Sequence, residues 1–185
     1  MAQVRLLITD FDGTLVNTFK ANFFAYQEAF SAVGKAISQE EYQKCFGFRF
    51  DDFMQAMNIE EKDVCDEICR IKANVYPNYF KHLVVNIPLL GMLKAFRLSG
   101  GLTALASTAR RENLMNALDF IGAKNVFSYI LAGEDVFRGK PNSEIYEKVL
   151  SHFGIAPNEA LVFEDSEVGI QAATNAGIQV IRINI

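Results

Sequence analysis

Two acidic residues follow the first apolar run of this 185-residue chain. Residues 4–9 have the length and the branched side chains of a buried strand, and turn residues follow them. Asp10 therefore falls at the carboxyl end of that strand, with Asp12 and Gly13 just beyond it. Ligands of open α/β sheets bind at this edge, and carboxylate oxygens are ligands that hard cations prefer. The spacing indicates a site for a divalent cation and a phosphate group.

A plainer interpretation of the same stretch is a turn. Asp12 and Gly13 form an Asp-Gly pair between two apolar runs, which is a strong signal for a β-hairpin. The two interpretations are compatible, because a turn at a strand end can also present carboxylates to a ligand.

A second predicted strand ends at two residues with hydroxyl groups. The stretch LTALAST, residues 102–108, is apolar until it reaches Ser107 and Thr108. Hydroxyls in this position, just before a helix, can donate to a phosphate oxygen alongside backbone N–H groups. They serve equally well as helix caps, so the residues alone leave both roles open.

A lysine and a second acidic pair precede the last two predicted helices. Lys140 lies in the turn RGKPNSE, where a lysine usually faces solvent. Glu164 and Asp165 end an apolar stretch, and Asp165 or Ser166 is expected to cap the helix that follows. Adjacent carboxylates at the edge that already holds Asp10 would repel each other unless a cation lies among them. Oxygen ligands beside a phosphate favour Mg²⁺, which we expect as the cofactor.

The order of helix and strand patterns predicts an α/β fold. After residue 87, helices alternate with strands that we expect at 102–106, 128–131, 160–163 and 179–183. Such alternation is typical of a parallel, three-layer, Rossmann-like sheet with right-handed crossovers.

Residues 17–86 interrupt this pattern with aromatic, charged and helical sequence. We expect four short helices here, with Asp51 or Asp52 opening the third and Pro77 kinking or splitting the fourth. The predicted domains are an α/β core of residues 1–16 and 87–185 and a small helical bundle of residues 17–86, inserted after the first strand.

Composition excludes several classes of protein. Half of the residues are hydrophobic, but no apolar run approaches the roughly 20 residues that a membrane helix needs. A net charge of −4 without a basic run argues against a nucleic-acid surface. The start MAQVRLL leads directly into a strand, so we expect a cytoplasmic protein, and we take it to be a monomer. The three cysteines are expected to be free thiols.

Four stretches, in this order, resemble the motifs of the haloacid dehalogenase-like (HAD) superfamily. They are DFDGTLVNT at Asp10, the strand end at Ser107, the GKP turn of Lys140 and the run EDSEVGIQAA at Asp165. The resemblance implies an α/β core whose helical insertion is the α-helical cap of one subclass. The last run is similar to the branch that holds β-phosphoglucomutases, phosphoglycolate phosphatases and sugar-phosphate phosphatases.

The resemblance also implies roles for individual residues. Asp10 would be the nucleophile, which forms an aspartyl-phosphate, and Asp12 the general acid and base. Lys140 would balance the charge of nucleophile and phosphate, and Ser107 would contact the phosphate. The implied ligands of Mg²⁺ are Asp10, the backbone carbonyl of Asp12 and Asp165, with Glu164 acting directly or through water.

The implied reaction is magnesium-dependent hydrolysis of a small phosphate monoester, either a sugar phosphate or a compound like phosphoglycolate. Dehalogenases of the superfamily lack an aspartate two residues after the nucleophile, so Asp12 disfavours that reaction. A phosphosugar mutase is the alternative, but Asn22 stands where β-phosphoglucomutases carry a histidine, and Arg49 lies one place before their cap-loop arginine. A catalytically silent phospho-binding or regulatory protein is an alternative of another class, disfavoured by intact residues at all four motifs.

Seven residues are candidates for binding the phosphorylated small molecule. They are Gly13, Thr14, Asn22, Arg49, Ser107, Thr108 and Lys140. For Asn22 and Arg49, packing or solvation is the competing role, because the resemblance does not extend to the details of the cap.

Overall fold

The computed structural model describes residues 3–185, and their contacts divide the chain into two units. The first unit ends at Asn17, resumes at Val85 and continues to Ile185, whereas the second spans Thr18–Val84. In chain order, the strands are β1 (Leu6–Thr9), β2 (Val16–Asn17), β3 (Val84–Val85), β4 (Leu102–Ala106), β5 (Tyr129–Leu131), β6 (Ala160–Glu164) and β7 (Gln179–Arg182). The α-helices are α1 (Phe19–Ala32), α2 (Gln39–Cys45), α3 (Phe50–Ala56), α4 (Lys62–Val75), α5 (Ile87–Leu98), α6 (Arg111–Phe120), α7 (Glu144–Phe153) and α8 (Glu167–Asn175). Short 3₁₀ segments lie at Tyr76–His82, Lys124–Val126, Gly133–Asp135 and Pro157–Glu159.

Strand β1 lies at the centre of a five-stranded sheet with the order β5-β4-β1-β6-β7. All four pairings in this sheet are parallel. Leu6 and Ile8 pack in a hydrophobic cluster together with residues of α7 and α8. Leu7 and Thr9, which alternate with them along β1, are also buried. Because side chains of a strand alternate between the two faces, both faces of the sheet are covered. The predicted Rossmann-like parallel α/β fold is confirmed, and the strands begin and end within two residues of the predicted positions.

This topology brings the polar strand ends to one edge. Asp10 follows β1, Ser107 follows β4, and Glu164 ends β6, and these three strands are neighbours in the sheet. The strand order reverses between β1 and β6, because the chain first extends the sheet through β4 and β5 and then returns to the other side of β1. Ligands of open α/β sheets bind at such a reversal.

No hairpin joins β1 to the segment that follows, because both neighbours of β1 are parallel strands from far along the chain. The hairpin interpretation is therefore wrong for β1. The Asp-Gly pair still forms a turn: Gly13 has φ +86°, its N–H donates to the Val16 carbonyl at 2.8 Å, and the Val16 N–H donates to the Phe11 carbonyl at 2.9 Å. These two bonds pair Val16 with Asp12 in a parallel bridge, so the chain loops back beside itself after the central strand without forming a hairpin.

Aromatic rings fill the core of the second unit. Tyr26 and Phe30 of α1 contact Phe53 of α3, with ring centroids 4.8 Å and 5.9 Å apart. Tyr42 of α2 contacts the same Phe53 ring at 5.7 Å, and Ile68 of α4 is fully buried in this cluster. These side chains recur at helical spacing, so each helix turns an apolar face towards the centre of the unit.

One boundary in this unit differs from the expectation, and another agrees with it. Helix α3 begins at Phe50 with Arg49 at its N-cap, so neither Asp51 nor Asp52 opens it. Both aspartates lie in the first turn instead, where the helix dipole favours negative charge. Pro77 does divide the fourth helix: α4 ends at Val75, and a 3₁₀ segment follows, because proline has no N–H for the helical ladder.

The cysteines are free thiols, as expected. Cys45 is buried, and this burial raises the pKa of its thiol. Within residues 3–185, none of the helices has the length and apolar character needed to cross a bilayer.

Candidate active site

Asp10 directly follows the central strand and is almost buried. Its N–H donates to the Phe163 carbonyl of β6 at 3.0 Å, which extends the sheet ladder one residue beyond β1. Its carboxylate is 8% exposed, and Oδ1 accepts a hydrogen bond from Lys140 Nζ at 2.6 Å. Burial raises the pKa of the Asp10 carboxyl well above its usual value, because the Lys140 ammonium compensates only in part and three nearby carboxylates add negative charge.

Lys140 is a buried cation with three acceptors. Nζ donates to Asp10 Oδ1, to Glu164 Oε1 at 2.5 Å and to the Ala106 carbonyl at 3.1 Å. Its side chain is only 3% exposed, in contrast to the solvent-facing position that is usual for a lysine in a turn. Burial lowers the pKa of Lys140, but the carboxylates of Asp10 and Glu164 outweigh that effect and hold it well above its usual value. The ammonium is therefore charged at neutral pH.

Glu164 has hydrogen-bond donors on both carboxylate oxygens. Oε1 accepts from Lys140 and from the Tyr146 hydroxyl at 3.1 Å. Oε2 accepts from the N–H groups of Asp165 and Ser166 at 3.1 and 3.2 Å and from Ser166 Oγ at 3.0 Å. The side chain is completely buried, so these donors replace the water that a carboxylate needs. Glu164 is the counter-ion of Lys140 in this arrangement.

Tyr146 was not among the residues singled out in the sequence. It lies six residues after Lys140 on α7, where its ring fits the apolar face of the helix, so the sequence pattern marks it only as a core residue. Lys140 Nζ lies 5.4 Å from the centroid of the Tyr146 ring. The hydroxyl that donates to Glu164 is in the interior, and this burial raises its pKa well above the usual value. Tyr146 therefore remains a neutral donor.

Asp165 is held by residues of the first turn. Its Oδ1 accepts a hydrogen bond from Thr14 Oγ1 at 2.8 Å, and Thr14 is fully buried. A Cβ atom placed on Gly13 would lie 2.2 Å from Asp165 Oδ2, so the close approach of this carboxylate requires a glycine there. Burial also raises the pKa of the Asp165 carboxyl. The residues expected to bind the phosphate group, Gly13 and Thr14, thus contact Asp165.

Three carboxylates form a compact acidic group. Asp10, Glu164 and Asp165 each offer an oxygen within 4.8 Å of the others. Lys140 neutralises one charge, and burial, with a smaller contribution from the neighbouring carboxylates, raises the pKa values of Asp10 and Asp165. An all-oxygen donor set with excess negative charge suits a hard divalent cation. The donor set therefore fits a metal of the class to which Mg²⁺ belongs.

Ser107 lies beside this group without capping the following helix. Its Oγ accepts a hydrogen bond from the Ala109 N–H at 3.0 Å, and the residue is completely buried. Helix α6 begins at Arg111 with Arg110 at its N-cap, so neither Ser107 nor Thr108 caps it. The helix-cap role is therefore wrong for both. A hydroxyl that accepts one hydrogen bond retains a proton that it can donate to an oxygen of a ligand.

Of the remaining predicted site residues, Asp12 lies near Asp10, whereas Asn22 and Arg49 belong to the second unit. Asp12 is partly buried, two residues beyond Asp10 in the same loop. Asn22 is buried in α1, and Arg49 is partly buried at the start of α3.

The fold and these side chains define an α/β enzyme with an acidic site at the carboxyl edge of a parallel sheet. The family model for haloacid dehalogenase-like hydrolases matches residues 7–183, almost the whole chain. The chain belongs to this family, and the resemblance noted in the sequence is confirmed.

Individual relatives agree with this assignment. A phosphorylated carbohydrates phosphatase of Thermotoga maritima is 28% identical over 94% of this chain and 82% of its own length. The validoxylamine A 7'-phosphate phosphatase of Streptomyces hygroscopicus subsp. limoneus is 27% identical over 94% of this chain and 83% of its own length. The crystal structure of CbbY from Rhodobacter sphaeroides in complex with phosphate has the same fold, with a TM-score of 0.89 and 24% identity over 99% of this chain and 87% of that one. The predicted enzyme class, a phosphoric monoester hydrolase of the family, is confirmed.

Proposed function

We propose that this protein hydrolyses a small phosphate monoester, such as a sugar phosphate or a compound like phosphoglycolate, through an aspartyl-phosphate on Asp10. The observation that carries this proposal is the Asp10 carboxylate itself. It lies at the end of the central strand, hydrogen-bonded to the buried Lys140 ammonium at 2.6 Å and close to two further carboxylates. The names of two relatives, which describe phosphatases of phosphorylated carbohydrates and of validoxylamine A 7'-phosphate, support a substrate with a hydroxylated leaving group.

The first half of the reaction transfers the phosphoryl group to the protein. An oxygen of Asp10 forms a bond to phosphorus while the bond from phosphorus to the alcohol oxygen breaks. Asp12, in the loop just after β1, donates a proton to the departing oxygen, so that the alcohol leaves in its neutral form.

The second half returns the enzyme to its starting state. A water molecule attacks phosphorus, and Asp12, which is now ionised, accepts its proton. The bond from phosphorus to the Asp10 oxygen breaks, which releases inorganic phosphate and restores the carboxylate. Asp12 gives up a proton in the first half and takes one back in the second, so its protonation state is restored at the end of each cycle.

Two side chains are suited to stabilise the transferring phosphoryl group. Lys140 brings a fixed positive charge to within 2.6 Å of the nucleophile, in a site where burial strengthens electrostatic interactions. The Ser107 hydroxyl can donate to a phosphate oxygen, as can backbone N–H groups of the same edge. Thr108, which follows Ser107 and is partly buried, remains a candidate for binding the phosphate group.

Mg²⁺ would be held by Asp10, Asp165 and the backbone carbonyl of Asp12, and it would supply positive charge for the phosphate oxygens. Glu164 is proposed to act indirectly. Both of its oxygens already accept hydrogen bonds from Lys140, Tyr146 and the start of α8, so it serves as the partner of Lys140 or contacts the metal through water.

We further propose that residues 17–86 form the cap that selects the substrate. The motif residues of the first unit act on the phosphoryl group and its bridging oxygen, which all phosphate monoesters share. Discrimination between leaving groups must then come from other residues, and Asn22 and Arg49 of the second unit are the candidates.

A direct experiment combines turnover with detection of the intermediate. The purified protein is incubated with magnesium and a set of phosphorylated sugars, polyols, phosphoglycolate and an aryl phosphate, and released phosphate is measured. A rapid acid quench followed by peptide mass spectrometry should find one phosphoryl group on Asp10. Removal of the metal by a chelator should abolish phosphate release, magnesium should restore it, and calcium should inhibit because its looser coordination shell misplaces the nucleophile.

Three outcomes would contradict the proposal. Full activity after exhaustive chelation would exclude the metal-dependent mechanism. Conversion of a sugar phosphate to its isomer with little phosphate release would instead identify a mutase. Absence of turnover with every substrate, including the aryl phosphate, would favour the catalytically silent protein.

A further inference from the structure

The turn that carries Lys140 is attached to the helix that follows it. Glu144, the first residue of α7, directs its carboxylate back along the chain. Its Oε1 accepts a hydrogen bond from the Phe137 N–H at 3.0 Å, and its Oε2 accepts one from the Arg138 N–H at 2.9 Å. One side chain thus binds two consecutive backbone groups just before Lys140.

Further contacts extend this attachment. Lys148, one helical turn after Glu144, lies 3.1 Å from Glu144 Oε1 and donates to the Asp135 carbonyl at 2.6 Å. Asn142 Oδ1 accepts from the Glu144 N–H at 3.0 Å, and the Asn142 N–H donates to the Gly139 carbonyl at 3.0 Å. Backbone groups before and after Lys140 are therefore bonded to α7 or to the residues that lead into it.

Apolar packing gives this turn little support near the lysine. The Phe137 side chain is 92% exposed, and Arg138 is exposed as well. The two N–H bonds lower the pKa of Glu144 to about 2, with the Phe137 N–H as the largest contribution and Arg138 next. The low pKa and the two short N–H to carboxylate distances have the same meaning: these hydrogen bonds favour the ionised form of Glu144, which is the form that holds the turn.

The position of Lys140 leaves little tolerance for movement. Its Nζ must reach Asp10 and Glu164 at 2.6 and 2.5 Å while its side chain is 3% exposed. A displacement of about 1 Å at a catalytic group can cost up to about 10²-fold in rate. We propose that Glu144 is a positioning residue, which holds the Lys140 turn so that the ammonium faces Asp10. This inference rests on the proposed phosphatase function.

The test compares two glutamates of the same helix. Glu144→Ala removes both acceptors, and Glu144→Gln keeps the size of the side chain but loses the charge and one acceptor. Glu147→Ala is the matched control, because Glu147 lies in the same helix and is exposed, and within residues 3–185 its carboxylate accepts only from Ser143 Oγ, at 2.6 Å. With an aryl phosphate and magnesium, we expect kcat to fall about tenfold or more in Glu144→Ala and less in Glu144→Gln, and to stay within about twofold of wild type in Glu147→Ala.

A second measurement separates positioning from general damage. Binding of inorganic phosphate is measured by calorimetry in the presence of magnesium, for wild type, Glu144→Ala, Lys140→Ala and the double variant. If Glu144 acts through Lys140, Glu144→Ala weakens phosphate binding when Lys140 is present and causes no further loss when Lys140 is absent. If Glu144→Ala does not fold, the same comparison is made with Glu144→Gln.

Two results would overturn the inference. One is wild-type kcat and phosphate affinity in folded Glu144→Ala or Glu144→Gln. The other is an equal loss of phosphate affinity with and without Lys140, which would assign Glu144 a purely structural role. Both are distinct from a failure of the proposed function, in which the wild-type protein itself would not hydrolyse phosphate monoesters.

Discussion

Glu164 accepts a hydrogen bond from Lys140 at 2.5 Å, and neither side chain is more than 3% exposed. Such a buried pair is not by itself a large source of stability, because both charges lose water. Removing one partner, however, typically costs about 3–5 kcal/mol, since the other charge is left uncompensated. The pair therefore fixes the charge and position of Lys140 more than it stabilises the fold.

The first prediction concerns the glycine that faces Glu164. A Cβ on Gly169 of α8 would lie 1.9 Å from Glu164 Oε1, so Gly169→Ala must displace the carboxylate or the helix. We expect a loss of about 1–3 kcal/mol in the free energy of unfolding, together with reduced kcat. Gly91→Ala in α5 is the control, because nothing lies within 4 Å of its added Cβ. That variant should be unchanged or more stable by up to about 1 kcal/mol, as measured by urea denaturation.

Asp10→Asn should abolish turnover and leave the fold intact. An amide cannot form the acyl-phosphate, although it has nearly the same size and can still accept a hydrogen bond from Lys140. Circular dichroism should match wild type, and the acid-quenched protein should carry no phosphoryl group. A pure sample of Asp10→Asn with near wild-type hydrolysis would assign the nucleophile to another residue.

Thr14→Val should weaken magnesium binding. The Thr14 hydroxyl donates to Asp165 Oδ1 at 2.8 Å, and groups that orient a metal ligand in this way typically affect metal affinity by about 10- to 100-fold. Thr14→Ser keeps the donor and should stay close to wild type. Calorimetric titration measures the magnesium affinity of both variants. Equal magnesium affinities of Thr14→Val and Thr14→Ser would show that the hydrogen bond does not orient Asp165.

Glu144 should make stability depend on pH in the acidic range. Its pKa is about 2 in the folded protein, below the ordinary value of 4.5, because two backbone N–H groups and Lys148 favour the carboxylate. The stabilisation is therefore fully present above pH about 4.5 and is lost as the pH falls towards about 2. The difference in the free energy of unfolding between wild type and Glu144→Gln should shrink over this range. A difference that is constant with pH, or a Glu144 carboxyl that titrates near 4.5 by NMR, would contradict the prediction.

Arg49 should affect substrate choice more than chemistry. If it contacts the leaving group, Arg49→Ala should lower kcat/KM for the best natural substrate and barely change hydrolysis of an aryl phosphate. Arg70→Ala is a suitable control, since Arg70 is an exposed arginine of the same unit that pairs with Glu67. Equal losses on both substrates would point to folding or to transition-state stabilisation, and no loss on either would leave Arg49 as a surface residue.

The sequence predicted the sheet well because apolar strand patterns and their turns are local properties. It also marked Asp10 and Asp165, since each lies at the end of an apolar strand pattern, whereas Lys140 was marked by the resemblance of its GKP turn to a motif of the family. It did not reveal that Lys140 and Tyr146 both donate to Glu164 Oε1, because they reach it from 24 and 18 residues away. The role of Thr14 was missed for the same reason, as its partner Asp165 lies 151 residues along the chain. Hydrogen bonds between distant residues leave no periodic signal in a sequence.

The three acceptors of Lys140 have a consequence for local unfolding. They belong to the ends of β1, β4 and β6, which are the three inner strands of the sheet. Because one ammonium group links these strand ends, none of them can separate from its neighbours without exposing a buried charge. The outer strands β5 and β7 carry no acceptor of this lysine, so we expect them to open transiently and exchange their amide hydrogens while the ends of the three inner strands stay together.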